Sequence, residues 1–396
     1  MRRSRLIPLG ILALLHAYIG WRLLPDLPIG ALGRTVGMLL LGASFISMPL
    51  AFAARASENR VSADRVAAVG LFAMGFFSSL FVFTLLRDVF LLAAILLVPA
   101  RLVYAIDTVS AWLVVGLAVF ATLVGFANAR RRARVVTIDI PLPNLPDALH
   151  GFSIAQISDV HVGPTIKRGY VDAIVDTVNS LNADLIAVTG DLVDGTVSDL
   201  AHHTAPFARL SARHGAFFVT GNHEYYSGER AWTAEFRRLG LRVLMNEHVV
   251  VTHDGTRLVI AGVSDFSAHH FDPAQRSDPA VALSGAPSDA GAKILLAHQP
   301  RSAPAAATAG FDLQLSGHTH GGQFWPWNLF VRFQQPFTAG LHRLNDLWVY
   351  ISRGTGYWGP PKRFGAPSEI THLRLVSTFG LTAAIDRGSI LPDALP

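Results

Sequence analysis

The chain has 396 residues, 51% of them hydrophobic, with a formal charge of +5 and no cysteine. That length accommodates two domains, and a mean hydropathy of +0.37 is too apolar for an ordinary soluble chain. The lack of cysteine excludes disulfides, thiolate metal sites and a cysteine nucleophile.

Charge is unevenly spread. Residues 1–134 carry fourteen Arg and no Lys against five acids, about +9, leaving nineteen Lys plus Arg against twenty-three acids, about −4, in 135–396. The basic balance therefore belongs to the first part and does not argue for nucleic acid. Four apolar stretches there approach spanning length, 6–24, 36–54, 66–86 and 111–127, and predict an all-α multi-pass membrane anchor over 1–134. A shorter run, 89–100, follows Arg87 and Asp88. It falls short of a ~30 Å hydrocarbon core and is expected to be interfacial or re-entrant.

Arg2, Arg3, Arg5, Arg55, Arg60, Arg65, Arg130, Arg131, Arg132 and Arg134 fall on one side of the spans, against Arg22, Arg34, Arg87 and Arg101 on the other. Basic residues accumulate on the cytoplasmic side, so both termini, and the domain that follows, are expected there, at the cytoplasmic membrane. A cleaved leader over 1–21 is the alternative, because Arg2 and Arg3 precede an apolar run. The later spans favour an uncleaved anchor. The cluster 130–134 reads as a stop-transfer anchor, with an anionic-lipid contact as its sharper alternative.

From residue 135 short Val, Ile and Leu runs alternate with polar or helix-like stretches, the texture of a layered α/β domain over 135–396. Strands are predicted at 153–158, 185–189, 216–220, 258–263, 294–297, 313–316, 347–352 and 370–376. Five of these runs lead directly into side chains able to bind metal: Asp159 and His161; Asp191; Asn222 with His223 and Glu224; His298; and His318 with His320. Strand ends converging on one rim are where open α/β sheets place their sites. In an extended segment residues two apart point the same way, so Asp159 with His161 and His318 with His320 could each offer a pair of ligands. Gly190, Gly221 and Gly317 precede ligands and would let the backbone approach the metals closely. Imidazole, carboxylate and amide oxygen without thiolate suit Mn, Fe, Zn or Co, and the ligand types alone do not choose among them; two such ions are expected, with Mn slightly favoured.

The ordered series Asp159-x-His161, Gly190-Asp191, Gly221-Asn222-His223-Glu224, His298 and Gly317-His318-x-His320 resembles the calcineurin-like metallophosphoesterase superfamily. Gly317-His318-Thr319-His320-Gly321-Gly322-Gln323 and Arg363-Phe364-Gly365 resemble its membrane-associated bacterial branch. The resemblance implies two mixed β-sheets sandwiched between helical layers, and hydrolysis of a phosphoester or pyrophosphate bond by two divalent metals. By the same resemblance Asp159, His161, Asp191 and His320 hold the first metal, while Asp191, Asn222, His298 and His318 hold the second. Asp191 bridges, and His223 is the catalytic acid. Glu224 stands where many members have Asp, at a position that does not ligate.

Other residues are weighed singly. Asp194 could be taken for a ligand but reads first as a turn or helix-start acid, and Asp265 as a loop residue that could line the pocket. Arg363 could contact a substrate phosphate, though a surface Arg is the default. The aromatic stretch 324–337, with Trp325, Trp327, Phe330 and Phe333, is either packing over the sheet or a surface for acyl chains. Together with the anchor it suggests a bilayer partner and a membrane-borne lipid substrate. A nucleotide phosphodiesterase or nuclease is the alternative enzyme, disfavoured by the net negative charge of 135–396. A non-catalytic membrane sensor is the alternative from another class, disfavoured by the scarcity of ionisable residues inside the spans.

Overall fold

The computed structural model describes residues 2–54, 57, 59–97 and 99–378. Arg55, used in assigning sidedness, residue 98 of the short apolar run, and 379–396 of the second domain lie outside the described residues. Four described helices are long and apolar enough to cross a membrane: α1 (Arg2–Leu23), α2 (Gly30–Ala53), α3 (Arg60–Leu97) and α4 (Ala100–Arg130). They form one compact unit together with the short segment Gly359–Phe364, and Arg132–Trp358 with the described residues from Gly365 onward form a second.

Ile19, Leu23, Met48, Phe77, Leu80, Ala111 and Val114 pack into the core of the helical unit. Residues 89–97 are the last turns of α3, continuous with the long apolar helix and not a separate or re-entrant piece. The two charges before them do not break the helix because both are partnered. Arg87 is buried, donating from Nε to Ser110 Oγ (2.8 Å), from Nη1 to the Arg22 carbonyl (2.8 Å) and from Nη2 to Asp26 (2.5 Å). Asp88 accepts from Tyr18 Oη (2.6 Å) and Arg22 Nε (2.9 Å). Pairing of this kind is what lets ionisable groups persist in an apolar bundle. In the same unit Lys362 Nζ donates to the Gly75 carbonyl (2.9 Å) and to the hydroxyl of Ser79.

The second unit contains two six-stranded mixed sheets. The first runs in the order β1 (Arg134–Leu142), β12 (Glu369–Ser377), β2 (Ser153–Ile157), β3 (Leu185–Val188), β4 (Ala216–Phe218), β5 (Arg242–Val243). The second runs β10 (Gly340–Leu344), β11 (Leu347–Ile351), β9 (Leu313–Ser316), β8 (Ala292–Leu296), β7 (Thr256–Gly262), β6 (Glu247–His253). β2, β3, β4 and β5 are mutually parallel, as are β7, β8, β9 and β11. Antiparallel pairings set β12 against β2, β10 against β11 and β6 against β7.

The period-two alternation of a strand decides which side chains meet between the sheets. Leu185 and Ala187 of β3 and Ile294 and Leu296 of β8 share the inter-sheet core with Ile154, Phe217, Ile260, Leu313 and Leu373. Leu295 faces the other way, packing with Ala261, Ala297, Val349 and the helix α10 (Ala303–Ala309) through Ala303 and Ala306. Helix α5 (Arg168–Ser180) between β2 and β3 buries Val171, Ile174, Val175 and Val178, the apolar face of a 3.6-residue period.

Candidate metal centre

The chain beyond the carboxyl ends of β2, β3 and β4 in one sheet and β8 and β9 in the other carries the candidate ligands, so both sheets contribute to one rim. The backbone there is left-handed at five non-glycine positions: φ is 54° at Asp159, His161 and Asp191, 71° at His318 and 52° at His320. Such conformations are uncommon for residues with a Cβ and concentrate where surrounding structure over-determines them. Asp159 and His161, and likewise His318 and His320, therefore converge through turned backbone rather than through alternation along an extended strand. Glycine is required where loops touch. A Cβ on Gly221 would lie 2.1 Å from Asp191 Oδ1, and one on Gly317 2.0 Å from Ser158 Oγ.

Among the described residues, three sets of donor atoms lie close enough to share an ion: Asp159, His161 and His320; Asp191, His298 and His318; and His161, Asp194 and His223. His161 Nε2 is 3.0 Å from His320 Nε2, which is 3.5 Å from Asp159 Oδ1. His298 Nε2 is 3.1 Å from Asp191 Oδ2 and 3.2 Å from His318 Nδ1. Asp191 Oδ2 also lies 3.9 Å from His161 Nε2, between the first two sets. Asn222 opens helix α7 (Asn222–Ser227), and its Oδ1 is buried with no hydrogen-bond partner. A buried amide oxygen left unsatisfied is disfavoured unless something absent from the protein atoms satisfies it. A metal ion would do so, and the N and O donor set suits Mn, Fe, Zn or Co.

The residues around these donors fix their orientation. His298 Nδ1 donates to the Thr189 carbonyl (2.7 Å), which turns Nε2 toward Asp191. Glu224, fully buried, accepts from the backbone N–H of Gly221 (2.7 Å), Asp191 (2.9 Å) and Leu192 (2.8 Å), stapling two loops together. Asp194 is not a turn or helix-start acid. It is nearly buried, with Oδ1 2.5 Å from His223 Nδ1 and 3.3 Å from His161 Nδ1. The signal for it was its spacing of three from Asp191 in a Gly-Asp-x-x-Asp-Gly run, which is also ordinary turn chemistry. Asp265 is buried and bound by Gln299 Nε2 (3.1 Å) and Ser267 N (2.8 Å), a loop brace. Arg363 is not a surface residue. It is fully buried in the segment that clusters with the helices, its backbone N–H donating to the Gly125 carbonyl (2.8 Å) and its carbonyl accepting from Asn128 Nδ2 (3.2 Å).

Residues 152–322 match the model of the calcineurin-like phosphoesterases. An uncharacterized metallophosphoesterase of Aquifex aeolicus is 32% identical over 239 residues, covering 60% of this chain and 89% of its own. One of Campylobacter jejuni is 33% identical, covering 65% of this chain and 67% of its own. The chain belongs to the calcineurin-like phosphoesterase family. A Danio rerio protein named transmembrane protein with metallophosphoesterase domain is 38% identical over 261 residues, a match spanning 63% of this chain and 59% of that one.

In this member of the family the electrostatics follow from burying carboxylates among imidazoles. Burial alone would raise the Asp191 carboxyl, but His298, His223 and His161 beside it hold it well below the usual carboxylate range. Burial opposes the charged form of His298, yet Asp191 holds it well above 6.5. His318, buried and next to His298, is pushed down to about 4. Against burial, Asp191 and Asp194 push His223 up to about 9. Protons thus sit where cations are favoured, and a bound metal would compete with them.

Proposed function

We propose that this chain is a two-metal hydrolase of phosphoester or pyrophosphate bonds, anchored by residues 1–134 and catalytic over 135–396, with a membrane-borne lipid phosphate as its preferred substrate. Asp159, His161, Asp191 and His320 would hold one metal, and Asp191, Asn222, His298 and His318 the other. The observation that carries this is Asp191: its Oδ2 lies between the two His-containing sets, and Asn222, whose chain neighbour His223 donates its N–H to Asp191 Oδ1, has a buried Oδ1 that no protein group satisfies. Two divalent ions bound there supply Lewis acidity toward the phosphoryl oxygens and a nucleophile at neutral pH.

The chain's own residues then manage the proton. His223 Nδ1 is held by Asp194, which leaves Nε2 to deliver a proton to the departing oxygen. Water supplies the new oxygen on phosphorus, the P–O bond to the leaving group breaks, and the proton released from water restores His223. The backbone N–H of His223 donates to Asp191 Oδ1 (2.8 Å), which fixes the acid relative to the candidate bridging carboxylate.

The test is a panel of phosphatase and phosphodiesterase substrates, bis(p-nitrophenyl) phosphate and phosphatidic acid among them, on the purified full chain with and without Mn. Turnover that requires Mn, and is lost in His223→Ala with metal content retained, is the expected result. Turnover unchanged in His223→Ala, or in Asp191→Asn stripped of metal, would overturn it.

A further inference from the structure

Exposed large apolar side chains in the α/β unit are concentrated on one side of it. Among the described residues of that unit, most of them sit on segments that follow carboxyl strand ends: Tyr226 after β4, Phe266 and Phe271 after β7, and Trp358 after β11. The segment after β9 adds Trp327, Phe330 and Phe333. This is the rim that carries the candidate ligands. Apolar side chains scattered singly over a surface need no explanation, whereas several gathered at one mouth mark a binding surface.

Two of them touch the acid itself. The Tyr226 ring stands edge-on to His223 with centroids 5.2 Å apart, and the Trp358 ring does the same at 5.6 Å. Phe271 continues the wall from Tyr226 at 5.6 Å. All three are large and open to solvent, at 64% for Tyr226, 50% for Phe271 and 45% for Trp358. Trp358 is also held in register: Gln323 Nε2 donates to its carbonyl (2.8 Å) and its N–H donates to Gln323 Oε1 (2.9 Å). Gln323 follows His320 by three residues, so one side chain ties the aromatic wall to a candidate ligand loop.

We infer that Tyr226, Phe271 and Trp358 form a leaving-group subsite that receives the aliphatic body of a lipid alcohol. This rests on the hydrolase reading above, in which His223 protonates the departing oxygen: the group leaving from that oxygen must lie against His223, and the solvent-open rings against His223 are Tyr226 and Trp358, with Phe271 next to Tyr226. A nucleoside is the other apolar-faced leaving group, but three observations favour a lipid. The segment that follows the candidate ligand His320 carries further exposed rings in contact with one another, Trp327, Phe330 and Phe333, the last 73% exposed, and Trp and Phe of this kind favour the lipid boundary. The unit carries a net charge of about −4, which disfavours polyanionic nucleotides. The same chain carries four helices able to span a bilayer, which places the enzyme where lipid alcohols are concentrated.

The experiment uses the full chain loaded with Mn in detergent micelles. It compares dihexanoyl with dioleoyl phosphatidic acid, the same pair of phosphatidylglycerols, AMP, and bis(p-nitrophenyl) phosphate as a generic ester. The expected kcat/KM for one long-chain lipid exceeds that of its short-chain partner by about tenfold or more. Phe271→Ser and Trp358→Ser should bring that ratio toward one, chiefly through KM, while Phe271→Leu preserves it. A ratio near one in the wild type, a ratio untouched by the serine substitutions, or better turnover of AMP than of either long-chain lipid overturns the assignment. Generic-ester turnover without lipid turnover overturns the subsite and the lipid preference but leaves the two-metal hydrolase reading standing. No turnover of any ester with Mn bound overturns the hydrolase reading and the subsite with it.

Discussion

The carboxylate of Asp194 lies between two imidazoles, 3.3 Å from His161 Nδ1 and 2.5 Å from His223 Nδ1. One oxygen thereby sets the ring orientation of a candidate metal ligand and of the candidate acid together. Asp194→Asn keeps the shape and removes the charge, so kcat should fall by about 10- to 100-fold while the metals remain, the usual penalty for losing a group that orients a ligand. Steady-state kinetics on bis(p-nitrophenyl) phosphate with metal analysis of the same sample checks this, and an unchanged kcat would remove Asp194 from the mechanism. Sequence alone could nominate His223 because it follows Asn222 in a recognisable block. It could not nominate Asp194 in the same way, since an acid three residues after another beside a glycine is what a turn also uses. Glu224 is a similar case: its sequence position is plain, but its three backbone N–H partners on two loops are visible only in the fold.

At the scale of elements, every strand predicted from sequence occurs in one of the two sheets, and the four that were missed, β1, β5, β6 and β10, are the four sheet edges. Interior strands bury both faces and read as continuous apolar runs, as in β3, where all four residues are buried. An edge strand keeps much of itself in solvent, and β1 begins in the Arg cluster at 130–134, so its pattern is mostly exposed until Ile140. The α3 extension was misread for a related reason, because the partners of Arg87 and Asp88 lie far away in sequence.

One long-range joint between the sheets titrates. His214, just before β4, lies 3.0 Å from Nδ1 of His253, the last residue of β6, and Phe152 packs against both rings. Burial, then the charges of His253 and Arg213, lower the His214 pKa below its ordinary 6.5. The unfolded chain therefore binds this proton more readily, so the joint's contribution is present above pH ~6.5 and is lost as pH falls below it. Melting temperatures measured from pH 8 to pH 5 should drop less steeply in His214→Phe than in the wild type. Parallel curves would show that the joint does not contribute.

For the molecule as a whole, the chain leaves the helical unit at Arg131, re-enters it at Gly359 and leaves again after Phe364. Room for the second entry comes from glycine: a Cβ on Gly125 would lie 2.6 Å from Lys362 Cγ, in the body of the side chain rather than at its mobile end. Gly125→Val should therefore destabilise the helical unit by about 1–3 kcal/mol, the range for overpacking, seen as a lower melting temperature in detergent. The same unit carries two belts of charge. Arg22, Asp26, Arg87, Asp88 and Asp107 are bonded or paired with one another at one level. Twenty-two residues separate Arg65 from Arg87 on α3 and twenty-three separate Asp107 from Arg130 on α4. At 1.5 Å per residue both spacings come to roughly 33–35 Å, which brackets a ~30 Å hydrocarbon slab. The belt at the other end of the unit holds Arg60, Arg65, Arg130 and Arg131 with Asp64, is the more basic, and is followed directly along the chain by Arg132 and Arg134. Excess Arg marks the cytoplasmic face, so the α/β unit that begins at Arg132 should lie in the cytoplasm. A fluorescent protein fused to the C-terminus should glow and an alkaline phosphatase fused there should be inactive. Exchanging Arg130, Arg131, Arg132 and Arg134 for Gln while adding Arg beside Asp26 should weaken or invert that pattern, and an active phosphatase fusion on the unaltered chain would place the catalytic unit outside.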